Sequence, residues 1–308
     1  MKQAVAIVSI PLLLVGGAWV AAIIDRLHRA MRDDVPAGNV LLAPLAEGAA
    51  LLLRQSVVTE RPDLLNWRLA PVFYFALAAL ALSVVPLAPG LVAADSDAGI
   101  VLWGACEALT VVVVFLHGWS SNAPLALIGA YRYVAIALPV MLVSMFVLIA
   151  AALPAESLSV SAVVAAQKDT VWNVVRQPPG FVLFMLLALS VSVRGPFDYA
   201  DSPDLAGGTS SEASGAQYAA WQFARLAMLV SASVMAATVF LGGYLGPVLP
   251  GPVWLLLKSV AVLAALVMAG NAFARTTPAR MLHIIWTVLL PLSFLVLVLV
   301  GLEVLLWA

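Results

Sequence analysis

The sequence predicts an all-α integral membrane protein of about eight transmembrane helices plus an interfacial amphipathic helix, a single polytopic domain over residues 1–308. Three observations predict it. Hydrophobic residues make up 64% of the chain and charged residues 10%, more apolar surface than a water-soluble fold of this length can bury. Several stretches approach or exceed the roughly 20 apolar residues that cross a ~30 Å hydrocarbon core, where a helix satisfies its own backbone groups. The runs are continuous and do not alternate, which argues against a transmembrane β-barrel.

Taken in order, spans are expected near 3–24, 69–92, 99–117, 124–152, 179–193, 217–246, 252–273 and 284–307. The first sits where a signal peptide would, but no small-residue cleavage site precedes Asp25, so it reads as a mature helix. Residues 25–68 then form a cytoplasmic or interfacial segment containing "NVLLAPLAEGAALLLRQ" at 39–55, too short and mixed for a comfortable crossing. It reads either as a helix lying among the headgroups, with Glu47 and Arg54 in water, or as a lining of a lipid-accessible cavity. The third span carries Glu107 in "LWGACEALTVV", where an unpaired carboxylate costs about 2.5–3.5 kcal/mol, so the group is neutral, paired or facing water. The fifth span has only 13 uninterrupted apolar or small residues, Phe181 to Val193, and needs Pro178, Pro179 and Gly180 or the following loop to complete a crossing. That loop, "RGPFDYADSPDLAGGTSSEASG", lies within the acidic segment 194–216. Arg225 lies in the sixth span and needs a membrane acid as partner. Lys258 and Glu303 fall nearer the expected outer boundary, where snorkelling accommodates them.

Charge sets the orientation. With 25–68 on the cytoplasmic side, that side holds Arg26, Arg29, Arg32, Arg54, Arg61, Arg68, Arg132, Arg194, Arg225, Arg275 and Arg280, eleven of the fifteen basic residues. The bias places both termini outside and the 194–216 loop in the cytoplasm of a cell inner membrane. A net charge of −1 without a basic run gives no nucleic-acid partner. The single Cys106 excludes an intrachain disulfide and a cysteine-ligated cluster, and the three histidines are scattered. No phosphate loop, dinucleotide fingerprint or nucleophile elbow is present, so no catalytic residue or metal ligand is assigned. Electron cofactors, if the chain serves redox chemistry, belong to other chains.

Four segments, in order along the chain, carry a resemblance. "GWSSNAPLALIGAYR" at 118–132 resembles the Gly-Trp-Ser-Ser-Asn and Gly-Ala-Leu-Arg segments of the complex I membrane subunit family called NADH dehydrogenase subunit 1. The 194–215 loop is similar to that family's Arg-x-Pro-Phe-Asp stretch with its acidic continuation, "LLAPLAEGAALLLR" to its interfacial segment, and Lys258-Ser259 to its Lys-Ser pair.

The resemblance implies a non-catalytic membrane subunit of an NADH-quinone oxidoreductase or hydrogenase-type complex. Such a subunit anchors a soluble iron-sulfur arm, meets antiporter-like subunits and lipid, and forms part of a quinone cavity and a proton-coupling path. Quinone would be the substrate; iron-sulfur clusters and flavin would lie in partner subunits. Residue by residue it implies cavity and coupling roles for Glu47, Arg132, Arg194, Asp198, Asp204 and Glu212, with Glu107, Arg225 and Lys258 as membrane charges. The departures lie deeper: Met141, Val191 and Arg225 stand where the family has membrane carboxylates, and Pro203 replaces a loop acid. Coupling is therefore expected to be weak or rerouted, for instance through Glu107. Two alternatives stay open, a stand-alone transporter built on Glu107 and Arg225, and a diverged scaffold that docks partners without binding quinone.

Overall fold

The computed structural model describes residues 2–33, 39–201 and 205–307. Twelve α-helices occupy most of them: α1 Lys2–Asp33, α2 Ala43–Leu53, α3 Leu64–Ser83, α4 Gly99–Ser120, α5 Pro124–Ala152, α6 Val160–Asp169, α7 Asn173–Arg176, α8 Pro178–Val191, α9 Gly215–Phe240, α10 Gly251–Ala272, α11 Pro278–Ile284 and α12 Leu290–Trp307. A π-helical turn, Ile285–Leu289, joins the last two into one rod. No strand occurs among the described residues beyond the isolated bridge between Ala88 and Leu91. The protein is thus all-α, with seven helical rods long and apolar enough to cross a membrane and two shorter apolar helices, α2 and α8.

Proline marks five helix starts, at the first turns of α2, α5, α8, α10 and α11, where its missing N–H costs nothing. Asp63 caps α3 by accepting from the Asn66 N–H at 3.3 Å. The expected fifth span is α8, whose 14 residues measure only about 21 Å, short of the hydrocarbon thickness. The expected sixth span stops early, at Phe240, because Gly242 and Gly243 turn the chain with φ of +73° and +52°. The region between the fourth and fifth spans, for which no helix is expected, holds α6 and α7. There Asn173 donates to the carbonyls of Ala151, 3.1 Å, and Val239, 2.9 Å, tying off the ends of α5 and α9.

Helix α9 is the centre, packed against α1, α2, α3, α8 and α10, and it is buried on every side from Ala227 to Phe240. Its small residues, Ser231, Ala232, Ser233, Ala236 and Ala237, let the neighbours approach closely. Gly17 of α1 makes one such approach, since a Cβ there would lie 2.5 Å from a Val230 methyl. Helices α3, α4 and α5 pack in sequence order beside this core, and α12 lies on the outside against α5 with most of its face exposed. Lipid or partner chains cover such faces in a membrane protein.

Candidate functional site

A cavity of about 740 Å³ opens between α1, α2 and α9. Its walls are apolar, with Val15, Ala18 and Ala22 from α1, Leu45 and Leu51 from α2, and Leu226 and Leu229 from α9. One end is charged, where Asp25, Arg29, Glu47, Arg194 and Arg225 meet. A deep apolar pocket with a few convergent polar groups is the usual form of a small-molecule site.

The charged end is built from helix termini. Asp25, on the last turns of α1, accepts from Arg194 Nη2 and Asn271 Nδ2, both at 2.8 Å, and from Arg29 Nη2 at 3.1 Å. One carboxylate therefore joins α1, the end of α10 and the chain after α8. Burial, together with the guanidiniums of Arg225 and Arg29, pushes Arg194 below its ordinary value, and Asp25 opposes that shift. Arg194 Nη1 is buried and has no hydrogen-bond partner among the described residues. Glu47 on α2 pairs with Arg26 of α1, fastening the short helix over the cavity.

Arg225 on α9 organises the other side. Helix α8 ends with unpaired carbonyls, and four hydroxyl or guanidinium groups serve them. Tyr133 donates to Ser190 O at 3.3 Å, Tyr74 to Val191 O, and Arg225 to Ser192 O at 3.5 Å and to Val193 O. The same guanidinium pairs with Asp201 at 3.2 Å. The backbone at Val193 is left-handed, φ +51°, as the chain turns into the loop. Asp201 and not a spanning-helix acid is the partner that Arg225 was expected to need.

The remaining expected site residues divide. Asp198 is held by Arg275, Nε–Oδ1 2.7 Å and Nη2–Oδ2 3.1 Å. Arg132 takes no part in the cavity wall; it donates to the loop carbonyls of Tyr199 at 3.3 Å, Ala206 at 2.8 Å and Gly207 at 2.5 Å. Gly207 has φ +73° and lies so close to Leu125 O that a side chain would collide with it. Glu212 is half-buried in the same loop, away from the cavity wall, and Asp204 lies outside the described residues. Thus Glu47, Arg194 and Arg225 share the cavity, while Arg132 and Asp198 clamp the loop beside it. Asp25, Arg29 and Gln222 line the cavity without having been read from the sequence; the one signal was that Asp25 and Arg29 stand where the first apolar run stops.

The deep charges are also placed. Glu107, 3% exposed, meets Ser144 of α5. Lys258 does not snorkel: at 7% exposure its Nζ donates to Leu241 O at 2.6 Å, Gly243 O at 3.1 Å and Leu245 O at 2.7 Å, and sits 4.3 Å from the Trp172 ring. The carbonyls freed where α9 ends hold the ammonium inside better than a reach to the headgroups would. Glu303 pairs with Arg176 at 2.9 Å.

These features define a multi-pass membrane protein carrying a charge-capped apolar cavity under an interfacial helix. Residues 8–301 match the family model described as NADH dehydrogenase. An NADH-quinone oxidoreductase membrane component of Cereibacter sphaeroides, the second of its H type, is 33% identical over 82% of this chain and 79% of its own length. The H-type component of Geobacillus kaustophilus NADH-quinone oxidoreductase is 32% identical, covering 84% and 79%. NADH-ubiquinone oxidoreductase chain 1 of Metridium senile is 28% identical, covering 85% and 79%. The chain belongs to the NADH dehydrogenase family, as a homologue of the complex I membrane component called NADH dehydrogenase subunit 1.

Proposed function

We propose that the chain is the membrane subunit of a complex I-like oxidoreductase in the plasma membrane and that it receives a quinone in the cavity between α1, α2 and α9. The observation that carries the reading is the join of an apolar throat to a charged end with a free buried donor, Arg194 Nη1. An isoprenoid tail suits the throat, and a quinone carbonyl accepts from a guanidinium. The relatives' names supply the chemistry: they are NADH-quinone and NADH-ubiquinone oxidoreductase components.

Glu47, Arg194 and Arg225 would face the headgroup, while Arg132, Asp198, Asp204 and Glu212 would shape the loop that docks the soluble arm. Flavin and iron-sulfur clusters would reside in that arm, and antiporter-like subunits would cover exposed helix faces. Residues 1–308 would form one polytopic domain, with 25–68 and 194–216 cytoplasmic and both termini outside. Met141, Val191 and Arg225 supply no membrane carboxylate, so proton coupling would be weak or would pass through Glu107. A transporter is favoured less, because Arg225 is engaged by Asp201 and by the end of α8 and does not face Glu107's partner.

Orientation has a direct test. Ser211 is exposed on the acidic loop, so Ser211→Cys in a Cys106→Ala background should resist an impermeant thiol reagent in intact cells and react in inverted vesicles. Labelling from outside would overturn the topology. The same preparations test the role: the chain should co-purify with iron-sulfur and flavin proteins and with quinone-reducing activity, whereas activity of the isolated chain in solute transport would count against it.

A further inference from the structure

Ser144 Oγ lies 2.7 Å and 3.0 Å from the two carboxyl oxygens of Glu107 and 2.8 Å from the Met141 carbonyl. A hydroxyl has one proton to donate, and three acceptors surround it. The arrangement closes only if a second proton is present. With that proton on Glu107, the acid donates to Ser144 Oγ and Ser144 donates to Met141 O, so every bond has one donor and one acceptor. No ion-pair partner meets Glu107 among the described residues, and its residue is 3% exposed. An ionised carboxylate there would have one neutral donor and no water, which membrane interiors do not support.

We propose that Glu107 and Ser144 form a proton-holding site between α4 and α5, occupied by a neutral carboxylic acid at rest. The groups around it are few. Tyr133 of α5 interacts electrostatically with Glu107, and beyond it with Tyr74 of α3 and Arg225 of α9. Tyr133, Tyr74 and Arg225 converge on consecutive carbonyls of residues 190–193, and Arg225 and Ser192 also line the cavity. On α4 itself, Thr110 and His117 share the buried face of Glu107, with Thr110 spent on Cys106 O and the His117 ring stacked between Trp67 and Trp221. A line of buried polar groups therefore runs from the cavity's charged end to the held proton. Its role as the end of that line rests on the quinone reading above; the neutral acid does not.

The test uses the assembled complex. The infrared difference between wild type and Glu107→Gln at neutral pH should contain the C=O stretch of a protonated carboxyl, and Ser144→Ala should move that band to higher frequency by removing the hydroxyl that accepts its O–H. Loss of carboxylate stretches instead, or an acid band indifferent to Ser144→Ala, overturns the site. In proteoliposomes Glu107→Gln should keep quinone reduction within about twofold while halving, or more, proton uptake per quinone reduced. Unchanged uptake with the acid band present overturns the coupling role and leaves the cavity reading intact. A wild-type complex that reduces no quinone overturns the cavity reading and leaves the acid band standing.

Discussion

Arg225→Met is expected to cut quinone reduction by the assembled complex on the order of 100-fold. The side chain lies mostly inside the protein and does two things at once: it pairs with Asp201 at 3.2 Å and it serves the carbonyls of Ser192 and Val193 at the end of α8. Removing one member of a largely buried pair leaves the other charge uncompensated, at about 3 kcal/mol, and each 1.4 kcal/mol is tenfold in an equilibrium. The chain from Ser192 to Asp201 would then lose its fixed path, and Arg194 would lose its place at the cavity. Arg225→Lys keeps the charge opposite Asp201 but cannot span both carbonyls and the carboxylate, so an intermediate loss is expected. Turnover per assembled complex, with the amount of complex read on native gels, checks it. Wild-type turnover in Arg225→Met would show that the end of α8 needs no cap and that the charged end is not organised from α9.

Ala22→Trp should raise the KM for quinone at least tenfold without reducing assembly. Ala22 is half-buried on α1 and faces the cavity, so an indole there fills space that the substrate would occupy without displacing a packed core residue. Leu305, exposed near the end of α12, is the control: Leu305→Trp should change neither quantity. A change confined to the amount of complex, with KM untouched, would place the quinone elsewhere.

Which parts of this arrangement were legible in the sequence follows from what each signal depends on. Helix α5 begins and ends where expected, at 124 and 152, because Pro124 fixes its start and the apolar run is unbroken. Helix α9 was expected to continue to 246, since hydropathy is blind to the positive φ that Gly242 and Gly243 adopt. Helices α6 and α7 have too few apolar residues to register, and their reason for being helical lies in the side chains of Gln167 and Asn173, which bond to carbonyls of distant helices.

The site was legible in its charges and not in its pairs. Glu47, Arg194 and Arg225 stand out as ionisable groups at or inside membrane boundaries, and all three line the cavity. Asp25 read as the polar end of a span, because its partner Arg194 is 169 residues away and nothing local announces it. Arg132 read as a cavity wall because its motif adjoins the membrane boundary, whereas its guanidinium is used on loop carbonyls. Lys258 read as a snorkelling amine, since the carbonyls that hold it exist only once α9 has ended at Phe240. Ser144 gave no signal at all, as a lone serine in an apolar helix usually bonds to its own preceding turn.

The central claim, that the space between α1, α2 and α9 is a quinone site, is tested most directly by a photoreactive quinone analogue applied to the assembled complex in membranes. The label should map to peptides of this chain spanning residues 15–29, 44–52 and 218–229, should be competed by excess quinone, and should disappear in Ala22→Trp. Label that quinone displaces from other surfaces of the chain, or only from partner chains, while these three peptides stay unmodified and the complex still reduces the analogue, would contradict it.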